Sequence, residues 1–130
     1  MPTSFVATQF SVLEQDGVLI TTLGAPSTDE DDCYLTLQLG LSPTKQDVEF
    51  GMDKPYLEYC GQGWSWYGEI KLFELSRSRV VATMSSRAAS HMKNDGVIGA
   101  EFDLDAAKFL ELKRSLERTF RGCSFFVVRA

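Results

Sequence analysis

Basic residues are scarce in the first half of this 130-residue chain. Residues 1–65 hold two bases against ten acids, a net of 2 − 10 = −8, while residues 66–130 hold eleven bases and eight acids, a net of +3. A phosphate backbone is held by clustered lysine and arginine, so the overall charge of −5 disfavours nucleic acid as a partner. It is compatible with a cationic protein, which an acidic surface steers into encounter, but for an acidic domain in general the favoured reading is that the charge keeps the protein soluble. Histidine occurs once, at His91, so a histidine pair for a metal is excluded by count. Cysteine occurs three times, at Cys33, Cys60 and Cys123. Their wide spacing and odd number speak against a disulfide framework or a zinc site, and the expectation is three reduced, buried thiols. No run approaches the ~20 apolar residues of a membrane helix, so no membrane partner is expected. Met1-Pro2-Thr3-Ser4-Phe5-Val6 lacks the basic region and apolar run of a secretory signal, and the expected location is the cytoplasm.

What is present is a globular composition, 44% hydrophobic and 24% charged, in a length that suits one domain over residues 1–130. Residues 4–13 and 18–23 read as strands joined by Asp16-Gly17, a dipeptide that accepts the positive φ of a tight hairpin. Cys33, Leu35, Leu37 and Leu39 alternate with Tyr34, Thr36 and Gln38, the period of a strand with one covered and one wetter face. Residues 40–55 look irregular. Residues 56–60, 66–75, 79–85, 97–102 and 123–128 read as further strands, with 66–75 and 79–85 forming a second hairpin. The continuous apolar run 123–128 suggests an interior strand. Residues 86–95 are ambiguous between a loop and one helical turn.

One helix is expected, over about residues 105–120. Phe109, Leu112, Leu116 and Phe120 form its apolar stripe, Asp103 or Asp105 its N-cap, and Gly122 its left-handed end. Arg118 and Arg121 complement its dipole, and Glu117 and Arg121 form an i,i+4 pair. The fold class is therefore α+β: an antiparallel, strongly twisted sheet of about seven or eight strands with one C-terminal amphipathic helix packed on it.

Motifs for catalysis are thin. His91 lies in Ala-Ala-Ser-His-Met-Lys, with no nucleophile elbow nearby. Glu58 and Glu69 would be acid–base candidates if buried together and surface charges if they face water; the second reading is favoured. Gly61-Gln62-Gly63-Trp64 is a turn, without the helix or lysine of a phosphate loop. Asp29, Glu30, Asp31 and Asp32 lack calcium-loop spacing and read as a solvated acidic loop. No catalytic residue, metal site or cofactor is assigned. Tyr56, Tyr59, Trp64, Trp66 and Tyr67 concentrate around one turn, and such side chains serve as binding anchors or as core. Trp66 is favoured as core, Trp64 less so.

The run Cys33-Tyr34-Leu35-Thr36-Leu37-Gln38, then Gly51-Met52-Asp53, Tyr56-Leu57-Glu58-Tyr59, Gly61-Gln62, Tyr67-Gly68 through Ile70, Phe73-Glu74-Leu75 and Val80 onward resembles immunity protein family 10 of bacterial polymorphic toxin systems. The resemblance covers about residues 33–84, with weaker similarity in the C-terminal strand–helix–strand. It implies a small cytoplasmic protein that neutralises a cognate toxin domain, a basic nuclease in one version, and that is not an enzyme. On that reading Asp29, Glu30, Asp31 and Asp32 steer the encounter, and Trp64 with Tyr67 anchors the partner. Two alternatives stay open: a ligand-binding or enzymatic domain with a pocket between sheet and helix, and a homodimer joined through Tyr34, Thr36 and Gln38.

Overall fold

The computed structural model describes residues 4–25, 33–42, 44–49, 54–59 and 65–129, and of residues 47, 48, 65–67 and 92 the backbone alone. In chain order the elements are β1 (Ser4–Val6), β2 (Gln9–Gln15), β3 (Val18–Ala25), β4 (Cys33–Gly40), α1 (Lys45–Glu49), β5 (Tyr56–Tyr59), β6 (Ser65–Tyr67), β7 (Ile70–Leu75), β8 (Arg79–Met84), α2 (Ser86–Met92), β9 (Val97–Glu101), α3 (Ala106–Thr119) and β10 (Phe126–Val128). They build two five-stranded sheets: sheet A in the order β1-β9-β8-β7-β10, and sheet B in the order β2-β3-β4-β5-β6.

The α+β class holds, but the single antiparallel sheet does not. Sheet B is antiparallel throughout. Sheet A is mixed, with β1 parallel to β9 and β10 parallel to β7. The chain changes sheet twice within runs that read as one strand. The Ala7 N–H still bonds Glu101 O of sheet A, while the Thr8 N–H bonds Gly24 O of sheet B. Residues 66–75 divide at Gly68, whose φ of 72° turns β6 of sheet B into β7 of sheet A. The run 123–128 yields an edge strand, β10, not an interior one. Only part of its apolar surface is packed: the Phe126 ring stands 5.3 Å from Phe120 and 6.2 Å from Phe73, while Val128 is exposed.

Local chemistry explains the elements that the sequence makes visible. Asp16 and Gly17 both take positive φ, 53° and 77°, closing the β2–β3 hairpin with the twist that suits its strands. The second expected hairpin forms as β7–β8. The Asp105 side chain caps α3 by accepting the Lys108 N–H at 2.8 Å. Ser85 caps α2 in the same way, accepting the Ala88 N–H at 3.1 Å, so residues 86–92 are a helix. Within the stretch expected to be irregular, residues 45–49 form the short helix α1.

The core lies between the inner faces of the two sheets and α3. Leu19, Thr21 and Leu23 of β3, Leu35 and Leu37 of β4, and Leu57 and Tyr59 of β5 are buried on one face of sheet B, as the period of two predicts. Facing them are Phe73, Leu75, Val80, Ala82, Ile98 and Ala100 of sheet A. Helix α3 packs on β2, β3 and β4 with Leu112, Leu116 and Phe120 buried. Its stripe also buries two hydroxyls, both satisfied. Thr21 Oγ1 donates to Ser115 Oγ at 3.2 Å, Ser115 Oγ donates to Leu112 O, and Thr119 Oγ1 donates to Ser115 O. Arg118 reaches Glu14 on β2, pinning the helix end to the edge of sheet B.

Cys33 corrects the expectation of three reduced thiols. It is disulfide-bonded, and its partner lies outside the described residues. Strand periodicity fixes the face of a cysteine, not its neighbour on the next strand. Cys123 is free and half-buried, and burial raises its thiol pKa.

Candidate partner-binding face

The candidates for catalysis do not converge. Glu58 sits on the outer face of sheet B. Glu69 follows the sheet switch and lies 3.8 Å from Arg87 of α2. His91 is exposed in the last turn of α2. Among the described residues no group of three or more His, Cys, Asp or Glu side chains could hold a metal ion. One cavity between sheet and helix, bounded by Thr21, Leu37, Phe73, Val80, Leu112 and Leu116, is about 10 Å³. That is at the lower limit for a single water, so this part of the interior is filled by side chains, whereas at the C-terminal end of α3 a cleft of about 430 Å³ opens between Leu39, Gly40, Pro55, Arg118 and Thr119. A larger groove, about 590 Å³, opens at the sheet junction between Leu23, Phe102, Leu104, Glu101 and Asp103. Neither Glu58, Glu69 nor His91 lines it.

The feature with the extent of a protein interface is the outer face of sheet B. The register aligns two full rows across it: Leu13, Ile20, Gln38, Tyr56 and Tyr67, then Ser11, Thr22, Thr36, Glu58 and Ser65. A third row holds Gln9, Gly24 and Tyr34. Leu13 is 48% exposed, and Ile20, Tyr34, Gln38, Tyr56 and Glu58 are half-buried. No strand of sheet A and no part of α3 covers this face, because α3 and the core occupy the opposite one. It is drier than an open strand face, since Thr36 is only 8% exposed. Thr36 and Thr22 share a hydroxyl–hydroxyl hydrogen bond at 3.4 Å.

Next to that pair, Tyr34 Oη donates to Glu58 Oε1 at 3.0 Å across the β4–β5 ladder. Burial first, then the hydrogen bond and charge of Glu58, raise the Tyr34 phenol above its ordinary pKa. On the buried face of the same strand, burial pushes Tyr59 up to about 12, and its hydroxyl donates to Gly99 O of sheet A at 3.5 Å.

Among the described side chains, the charges of sheet B and its connections are Glu14, Asp16, Glu49 and Glu58 with Lys45 and Lys54, and α3 brings Arg118 onto Glu14. In sequence, the stretch 9–67 that builds sheet B carries ten acids and two bases, of which Asp29, Glu30, Asp31, Asp32 and Asp53 lie outside the described residues. The bases of the second half belong to sheet A, α2 and α3 and their connections.

Of the residues singled out for a partner, Asp29, Glu30, Asp31, Asp32 and Trp64 lie outside the described residues. For Tyr67 the backbone is described, paired with Tyr56. The strand ends that anchor the two connections are described. Ala25 pairs with Cys33, Leu35 with Tyr59, and Glu58 with Ser65, so segments 26–32 and 60–64 both leave from one end of sheet B. Reading along the chain missed Leu13 and Ile20 as members of this face. The signal was available, since both alternate with the buried positions of the first hairpin.

A family model described as Immunity protein 10 matches residues 6–110. No curated protein and no solved structure matches the chain.

Proposed function

The chain belongs to the immunity protein 10 family, and from that premise we propose that it binds and neutralises a cognate toxin domain through the outer face and acidic end of sheet B. It does so as a stoichiometric inhibitor, without chemistry of its own. The observation that carries this reading is a broad, half-apolar sheet face built by the stretch 9–67, whose sequence carries ten acids and two bases. Such a surface suits a cationic partner in both encounter and docking. The outer face of sheet A is the rival surface, with Val6 at 61% and Val97 at 38% exposure. Its rim is mixed in sign, and Glu74 is paired there with Arg129 at 3.6 Å, so it offers less to a cation.

In this reading Asp29, Glu30, Asp31 and Asp32 supply long-range attraction, Trp64 and Tyr67 anchor the partner, and the row of Leu13, Ile20 and Tyr56 adds apolar contact. A basic nuclease domain fits the charge. The site of action is the compartment where the toxin would strike its host, the cytoplasm. Among the described residues no helix is long and apolar enough to cross a membrane.

The test is co-expression. Host cells carrying the toxin domain encoded beside this gene should grow with the chain and die without it. Purified chain should retain that domain on a column, less so at high salt. Growth that does not depend on the chain overturns the proposal.

A further inference from the structure

Glu58 stands in an unusual setting for a surface carboxylate. On the outer face of sheet B it is opposite Thr36, with Tyr56 two residues back on its own strand and Tyr34 diagonal to it on β4. Tyr34 Oη holds Glu58 Oε1 at 3.0 Å, which fixes the carboxylate while using one of its roughly four acceptor positions. Glu58, Tyr34 and Tyr56 are all half-buried, so the acid is partly desolvated beside two aromatic rings.

From this geometry we infer that Tyr34, Tyr56 and Glu58 form a receptor for one arginine side chain of the partner. The inference rests on the proposed toxin-binding role and deepens it. A guanidinium is planar, presents a fork of donors to a carboxylate and stacks on aromatic faces, so it satisfies the acid and a ring together. An ammonium is a compact, strongly hydrated point charge and gains less from such a site. The hydrogen bond from Tyr34 orients the carboxylate before binding, which lowers the ordering cost on association. Tyr34 is thus a positioning residue as well as a contact.

The experiment is a set of double-mutant cycles by titration calorimetry, with the adjacent-encoded toxin domain as the probe. Glu58→Gln, nearly isosteric on a half-exposed face, is combined with alanine variants of each arginine and lysine of that domain. Glu58→Gln should weaken binding roughly ten- to a hundredfold, and Tyr34→Phe, which keeps the ring, about two- to fivefold. One arginine variant should lose affinity against the wild-type chain and nearly none against Glu58→Gln. Unchanged binding by Glu58→Gln, or a full added loss for every cationic variant, overturns the receptor. Coupling to a lysine overturns the guanidinium assignment. These failures differ from failure of the immunity role itself, in which the wild-type chain would not bind the toxin domain. Urea midpoints of the variants, expected near wild type, separate lost contact from lost fold.

Discussion

Raising the pH through 10 should loosen the join between the two sheets, and Tyr59 is the residue to follow. Its side chain is fully buried, and its hydroxyl reaches from β5 of sheet B to Gly99 O on β9 of sheet A. Burial pushes its pKa from 10.0 to about 12. The folded state therefore holds the proton more tightly than the unfolded state. Its contribution is complete below pH 10 and is lost progressively as pH rises from 10 to 12. Two pKa units at about 1.36 kcal/mol each give a total loss of roughly 3 kcal/mol. Tyr59→Phe removes the titrating group. It should cost at most about 1 kcal/mol at pH 8, because the bond removed is long and neutral. Between pH 10 and 12 its stability should then fall less steeply than wild type, by about 1.4 kcal/mol per pH unit. Other groups, Tyr34 included, titrate in both proteins and cancel in the comparison. Urea unfolding followed by tryptophan fluorescence at pH 8, 10, 11 and 12 measures this. Parallel pH profiles for the two proteins would refute the buried-phenol account.

Other outcomes follow from the packing. Leu116→Ala removes the centre of the α3 stripe, where Leu116 is 1% exposed, and should cost about 2–5 kcal/mol in urea denaturation. Gly99→Ala would bring a Cβ within 2.5 Å of Val80 O, a backbone atom that cannot swing away. It should destabilise by about 1–3 kcal/mol, read as a lower thermal midpoint. Reducing the Cys33 disulfide with a dithiol should lower the urea-derived stability by about 2–4 kcal/mol. An unchanged midpoint after reduction would show that the bond constrains little.

Short-range signals in the sequence were reliable where the structure is local. The alternation over Cys33, Leu35, Leu37 and Leu39 gave the correct buried face of β4, because two residues per repeat is the geometry of the strand itself. Asp16-Gly17 and the stripe of α3 were legible for the same reason. What was hidden depends on distant partners. A period of two says which side is buried but not in which sheet, so the switches at Ala7–Thr8 and Gly68 were invisible. The parallel pairing of Phe5 with Ala100 has no local signature. The helix at 86–92 depends on the Ser85 cap, and its residues alone suit a loop as well as a helical turn.

The candidate site divides in the same way. Tyr34, Thr36 and Gln38 could be placed on the wetter face from the sequence alone. The bond from Tyr34 to Glu58 joins residues 24 apart and required the β4–β5 register. The charge asymmetry was visible in the sequence, but its meaning was not. Only the topology shows that the acidic stretch 9–67 is the one that builds sheet B.

The most direct test contrasts the two outer faces. The affinity of the adjacent-encoded toxin domain would be measured by calorimetry for wild type, for Ile20→Arg on sheet B and for Val97→Arg on sheet A. The account predicts that Ile20→Arg loses at least about a hundredfold, since a cation is placed in a row meant for a cationic partner, while Val97→Arg binds as wild type. Loss in Val97→Arg with Ile20→Arg unaffected would contradict it and move the interface to sheet A.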